Sequence, residues 1–218
     1  EQYFINISET EHRNYFTNII KQNIENTYGV NDKDRIYSKK IKLSDDIYYW
    51  IINPIDDVDN YKERNRYFST SIAICNKEEM LASAIINNDD GALLTAIKGR
   101  GSLFENTKLR CDDFITSENF VSNIYDLEDK LFDTNYEMVY GQGIITNLVD
   151  LAKGDFDFAI FENIEISDIA AGILLCKESG FVISNFDGRE ICLRNNESII
   201  IYRPNEQNIV RKIIANYS

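Results

Sequence analysis

The sequence predicts a mixed α/β fold of the α+β kind, and three observations lead there. An apolar run at helical spacing opens the chain, β-type segments separated by tight-turn signals fill its middle, and short strand and helix patterns take turns over the second half. With 218 residues, the chain is long enough to bury about 70% of the surface its unfolded form exposes, so one core or two closely joined subdomains are expected without disulfides.

Over residues 8–28, Tyr15, Phe16, Ile19, Ile20 and Ile24 recur at helical spacing, Ser8 and Glu11 form a capping-box pair, and Gly29 ends the segment. Residues 31–44 are polar and lead into an aromatic and β-branched run at 47–52, closed by Asn53-Pro54, that reads as a buried strand. Residues 69–75, 79–87 and 91–98 are punctuated by Asn76-Lys77, Asn88-Asp89-Asp90-Gly91 and Gly99-Arg100-Gly101, which predicts an antiparallel meander. Beyond it the pattern gives a strand at 136–140, a helix at 144–152, a strand at 156–161 and a helix at 167–179. Strands at 181–184 and 198–202 and a last helix at 205–216 complete the chain. No Pro/Gly-rich linker interrupts it, so residues 1–115 and 116–218 are expected to be subdomains of one structural unit.

A hydrophobic content of 44% with only two prolines excludes a disordered or fibrous chain. The 36 acidic and 23 basic residues leave a net charge of −13, which repels phosphate backbones and argues against direct nucleic-acid binding. Cys75, Cys111, Cys176 and Cys192 form no C-x-x-C pair and sit mostly among apolar neighbours, so they are expected to be buried free thiols in a reducing, cytoplasmic compartment. The longest uncharged apolar stretch, residues 169–176, is far short of the ~20 residues that span a bilayer, so no membrane is expected.

The chain has one histidine, His12, set in Glu11-His12-Arg13-Asn14, which reads as a solvated helix face. Acid–base chemistry must therefore rest on carboxylates, with a metal ion the natural helper. Two acidic segments qualify. Asn53-Pro54-Ile55-Asp56-Asp57-Val58-Asp59-Asn60-Tyr61 follows the buried strand, where carboxylates at a strand end and a turn into a helix can converge on a metal-bound phosphate. Ser167-Asp168-Ile169-Ala170-Ala171-Gly172 opens a helix whose small residues allow close packing. Taken alone, the first also reads as a solvated acidic turn and the second as an ordinary helix start.

Together and in this order the two segments resemble the signatures of the inositol monophosphatase family. The run from Trp50 to Tyr61 is similar to W-I-I-D-P-I-D-G-T-x-N-F. The run from Ser167 to Gly172 is similar to W-D-x-A-A-G, and Leu174-Leu175-Cys176-Lys177-Glu178-Ser179-Gly180 follows as the family's L-L-x-x-E-A-G does. The resemblance implies a sandwich of alternating helix and sheet layers, hydrolysis of phosphomonoesters, Mg²⁺ held by carboxylates, and a homodimer. It maps metal positions onto Asn53, the carbonyl of Ile55, Asp56, Asp168 and Lys39, and catalytic positions onto Asp56 and Val58. Substrate positions fall on Asp57, Val58, Asp59 and Glu162; for Glu162 a strand-end carboxylate facing water is an equal reading. Gly141-x-Gly143 resembles the family's small-residue turn, though alone it is only a turn signal.

The match is uneven. Asn53 stands where the first Asp of D-P-I-D belongs, and Ser38-Lys39-Lys40 aligns with the family's metal-binding G-E-E. Asp57-Val58 replaces Gly-Thr, so the resemblance puts a carboxylate towards the phosphate cradle and removes the hydroxyl that orients water. Ser167 replaces the Trp of W-D. An ammonium from Lys39 or Lys40 could take a vacated metal position and pair with Asp56 and Asp168. The expectation is a catalytically impaired member, a pseudoenzyme acting by binding, with a phosphorylated small molecule as candidate ligand and no cofactor needed. The alternative is an active Mg²⁺-dependent phosphatase on an inositol, sugar or nucleotide phosphate with an altered ligand set.

Overall fold

The computed structural model describes residues 9–28, 34–37, 48–124, 127, 135–140, 143–191 and 197–217. Ser8, Lys39, Lys40, Gly141 and Cys192, each singled out from the sequence, lie outside the described residues. Helix α1 (Glu9–Tyr28) follows the predicted helical run and packs against strand β2 with Ile24 buried. Strand β1 (Asp34–Tyr37) falls inside the stretch read as polar and pairs in parallel with β2 (Tyr48–Asn53) at the sheet edge. An edge strand needs one backbone partner and no continuous apolar pattern, which is why composition hid it.

A short helix, α2 (Val58–Lys62), then leads to β3 (Ser69–Cys75), β4 (Met80–Asn87), β5 (Leu93–Ile97), β6 (Gly101–Phe104) and β7 (Thr107–Leu109), which extend β1–β2 into a seven-stranded sheet in chain order. From β2 onward the pairing is antiparallel, as predicted for the meander. On β3, Ser69, Ser71, Ala73 and Cys75 are buried while the residues between them are partly exposed, the period of two that turns one face to the core. The last two strands, of four and three residues, are too short for that period to be read.

The second sheet runs β11 (Val182–Ser184), β12 (Glu197–Tyr202), β10 (Phe158–Ile164), β8 (Asn119–Ser122), β9 (Glu137–Tyr140). Strands β8, β9 and β10 are parallel, and β12 is antiparallel to both β10 and β11. Helices α3 (Ile144–Lys153) and α4 (Ala170–Glu178) lie between the sheets, and α5 (Gln207–Tyr217) covers the far face of the second. One core cluster joins Tyr49, Ile51 and Ala73 of the first sheet to Leu148, Leu174, Ala159 and Phe161. The other packs Phe158, Ile160, Ile200 and Tyr202 against Val210 and Ile213 of α5. Strand β10 thus feeds both clusters from alternate positions, so its first four residues, Phe158 to Phe161, form an unbroken apolar run.

The predicted helix at 167–179 begins later. Ile166–Asp168 forms a single 3₁₀ turn, and α4 starts at Ala170. Among the described residues no helix is long and apolar enough to cross a membrane, and Cys75, Cys111 and Cys176 are buried free thiols. Burial pushes the Cys75 thiol up to about 12 and that of Cys111 up to about 11.

One buried charge pair ties α3, β10 and β12 together. Arg203 Nη1 lies 2.9 Å from Asp157 Oδ1, and both side chains are almost wholly buried. The guanidinium also donates to the carbonyls of Phe114, Ile115, Gly154 and Phe156 at 3.3–3.4 Å. Asp157 Oδ2 accepts from the Ser117 and Glu118 amides. Removing one partner strands the other charge, so Asp157→Ala is expected to lower the stability measured by urea unfolding by about 3–5 kcal/mol. Asp150 on α3 gives a test by pH. Burial pushes its carboxyl up to about 6; Lys153 lowers it, while Asp155, Asp90 and Asp89 raise it. The folded chain holds that proton at pH values where the unfolded chain has lost it, so stability falls as pH rises from about 4 to about 6. Asp150→Asn should raise the Tm by about 2–4 °C at pH 8 and leave it unchanged at pH 3, followed by calorimetry.

Candidate functional site

Strand β2 delivers Asn53 on the same face as Tyr49 and Ile51, and Pro54 stops the strand there. The turn that follows is tied to β3: Asp56 N–H donates to the Ser69 carbonyl at 2.9 Å, and Thr70 Oγ1 donates to the Pro54 carbonyl at 2.8 Å. Ile55 is buried. This fixes Asp56 towards the amino end of α3, where its Oδ2 accepts the Thr146 N–H at 3.1 Å. Gly143, at the cap position of α3, has no side chain to offer, so Asp56 caps that helix from across the site. A Cβ on Gly143 would stand 2.2 Å from Asp56 Oδ2, which makes glycine a requirement of the close approach.

The 3₁₀ turn before α4 brings Asp168 to the same place. Asn53 Nδ2 donates to Asp56 Oδ1 at 3.1 Å and reaches Asp168 Oδ1 at 3.5 Å, while Ser167 Oγ donates to Asp168 Oδ1 at 3.3 Å. From α1, Arg13 Nη1 donates to Asn53 Oδ1 at 2.9 Å. The amide of Asn53, 1% exposed, therefore has its oxygen towards a guanidinium and its NH₂ towards two carboxylates. Turning it over would set donor against donor and acceptor against acceptor, so the surroundings fix its orientation. Burial pushes the Asp56 carboxyl up to about 7; the Thr146 N–H lowers it, Asp168 raises it, and the Ile145 N–H and Arg13 lower it.

Other candidate residues stand elsewhere. The resemblance turned Asp57 towards the phosphate cradle, but its oxygens accept from the Asn60 N–H at 2.9 Å and from Asn60 Nδ2 at 3.0 Å. It is the N-cap of α2, where an Asp side chain has backbone donors to satisfy. Val58 is buried. Asp59 points to solvent and pairs with Lys62 at 3.7 Å. Glu162 lies where the register of β10 shifts, its backbone exchanging two 3.0 Å hydrogen bonds with the Asn123 side chain. Asn53, Asp56 and Asp168 are thus brought together, and Lys39 lies outside the described residues.

Two participants escaped the sequence reading of a site. Thr146 is one helix residue among many until the fold sets its N–H beside Asp56. Arg13 had a signal: Arg13, Thr17, Ile20 and Ile24 continue one stripe along α1, so its charge extends a buried face.

The resemblance implies Mg²⁺ at this place. Mg²⁺ calls for oxygen lone pairs in octahedral array. Here two carboxylates are bridged by an NH₂ group, the amide oxygen is engaged by Arg13, and among the described residues no three His, Cys, Asp or Glu side chains gather to hold a metal ion. As arranged, these residues do not fit Mg²⁺.

Comparison with known proteins agrees with the motif order. The model of the inositol monophosphatase family matches residues 8–216. The chain is 25% identical to "Nus factor SuhB" of Buchnera aphidicola subsp. Acyrthosiphon pisum over 206 residues, covering 88% of this chain and 73% of the relative. It is 27% identical to the fructose-1,6-bisphosphatase/inositol-1-monophosphatase of Thermotoga maritima over 149 residues, 65% of this chain and 58% of that one. An IMPase/NADP phosphatase solved with Mg²⁺ and phosphate shares the fold at a TM-score of 0.77 and 20% identity, covering 92% of this chain and 79% of its own. With the two-sheet layered fold and with Asn53, Asp56 and Asp168 converging as the two motifs require, the chain belongs to the inositol monophosphatase family.

Proposed function

We propose that this chain is a catalytically impaired member of its family that acts by binding. The observation that carries the reading is the Asn53 amide, whose NH₂ faces Asp56 and Asp168 while its oxygen faces Arg13. Family hydrolysis rests on metals that activate water and neutralise phosphate, and a site with two carboxylates bridged by a donor offers too little negative charge for that task. Val58 adds to the deficit, since a buried isopropyl group replaces the hydroxyl that would orient the water.

Relatives named "Nus factor" and "fructose-1,6-bisphosphatase/inositol-1-monophosphatase" mark two directions within the family. The net charge of −13 favours a protein partner over direct contact with a nucleic-acid backbone for a role of the first kind. A homodimer, a cytoplasmic setting and a phosphorylated small molecule as ligand complete the reading. A second reading has its own support: Asp56 and Asp168 still converge, so a residual metal-dependent phosphomonoesterase is the competing function.

Two measurements separate them. With Mg²⁺ present, phosphate release from inositol monophosphate and fructose 1,6-bisphosphate is expected to stay at the level of a protein-free blank; turnover at the ~10 s⁻¹ typical of enzymes would refute the impaired reading. Combining Asn53→Asp with Asp57→Gly and Val58→Thr should restore a Mg²⁺-dependent rise in Tm of a few degrees together with detectable phosphate release. If the wild type already shows both, the residual-phosphatase reading holds.

A further inference from the structure

We propose that the guanidinium of Arg13 is the resident cation of this site and, by holding the Asn53 amide in one orientation, closes the site to divalent metal ions. The inference rests on the impaired reading above and adds its physical cause. A cation between Asp56 and Asp168 would meet the Asn53 NH₂ where it calls for an oxygen, and an asparagine can supply that oxygen by a half-turn of its amide. That half-turn is blocked here. It would bring the Asn53 NH₂ against Arg13 Nη1, now 2.9 Å from the amide oxygen, and leave two donors facing one another.

The arrangement has a direction. Positive charge enters from α1 at Arg13, passes along the amide dipole, and ends as N–H groups aimed at Asp56 Oδ1 and Asp168 Oδ1. Two half-buried carboxylates set side by side are relieved by such a counter-charge. An arginine side chain supplies it permanently, because guanidinium is not deprotonated in proteins and cannot dissociate as a metal ion does. The sequence pointed to Lys39 or Lys40 for this task, and both lie outside the described residues; among the described residues Arg13, which no motif of the site includes, makes the contact.

Metal exclusion by the held amide differs from the mere absence of an aspartate. If the missing aspartate oxygen alone kept metals out, removing Arg13 would leave the site closed and only Asn53→Asp would bring metals back. If the amide lock keeps them out, removing Arg13 suffices with Asn53 unchanged.

The test uses Mn²⁺ as the probe and counts free ion by electron paramagnetic resonance, alongside thermal unfolding and circular dichroism to verify folding. Wild type is expected to show no site occupied at millimolar Mn²⁺, and Arg13→Met to bind about tenfold more tightly or better. Arg13→Lys keeps a cationic donor against Asn53 Oδ1 and should remain closed. Should Arg13→Met fail to fold, Arg13→Gln retains a polar contact to Asn53 from α1 without the charge, and it too should gain Mn²⁺ binding. Equal Mn²⁺ binding by wild type, Arg13→Met and Arg13→Gln, or none by any of them, overturns the inference. Phosphate release by wild type with Mg²⁺ overturns the impaired reading instead, whereas an inactive wild type that binds Mn²⁺ leaves that reading standing and removes only the role of Arg13.

Discussion

The burial of α4 between two sheets is the constraint on which the other parts of this molecule depend. Ala170 to Cys176 are all buried, so the helix can show no polar face and must be fixed at its ends. At its carboxyl end Glu178 accepts the N–H groups of Gly99 and Gly101, each at 2.8 Å, and Ser179 Oγ meets Ser102 Oγ at 2.6 Å. Halfway along, Gly172 lets α3 approach so closely that a Cβ there would fall 2.4 Å from Leu148 Cδ1. With the helix pinned in this way, the 3₁₀ turn before it can only present Asp168 towards Asn53. The same contact with α3 sets the helix end that Asp56 caps. Site geometry is here a consequence of core packing, and the carboxylates need no flexible loop to meet.

What was legible in the sequence follows from where side-chain patterns carry the information. Strands β3 to β5 alternate because one face is buried, and α3 and α4 read correctly because their apolar runs and flanking turn residues are long enough to be unambiguous. Strands β1, β6, β7 and β8 have three or four residues each, and their placement rests on backbone pairing with a neighbour. Composition cannot signal a pairing partner. For α4, the small residues after Asp168 suggested a start at 167, yet Ile169 takes the cap position with no side-chain bond and the helix begins one residue later, at Ala170. In the site, Asn53, Asp56 and Asp168 were visible as motif positions, while Arg13 was hidden among charged neighbours because its partner lies 40 residues away.

The positions that depart from the family pattern each have a local structural use. Asp57 occupies the N-cap of α2, where an Asp is worth about 1 kcal/mol over an alanine, and its oxygens go to Asn60, away from any bound anion. Val58 buries an isopropyl group where the family has a hydroxyl, a gain of about 1.5 kcal/mol in transfer terms. Asn53 avoids the repulsion of a third carboxylate beside Asp56 and Asp168 and makes hydrogen bonds to both acids and to Arg13. Each of these residues supplies something the fold uses, which agrees with the impaired reading proposed above.

Use by the fold also accounts for the two carboxylates that were kept. Asp56 is held by the helix it caps as much as by any metal: its oxygen satisfies the Thr146 N–H of α3, whose own cap residue is a glycine. Loss of Asp56 would leave that donor unpaired in a buried place, at a cost of about 1–3 kcal/mol. Asp168 answers the Asn53 NH₂, which Asp56 also accepts from, and the Ser167 hydroxyl, so its removal would take one acceptor from each. Retention of these acids is therefore weak support for catalysis, because the fold alone requires them. Asn53 is the informative position, since an aspartate there would serve a metal while an asparagine serves Arg13.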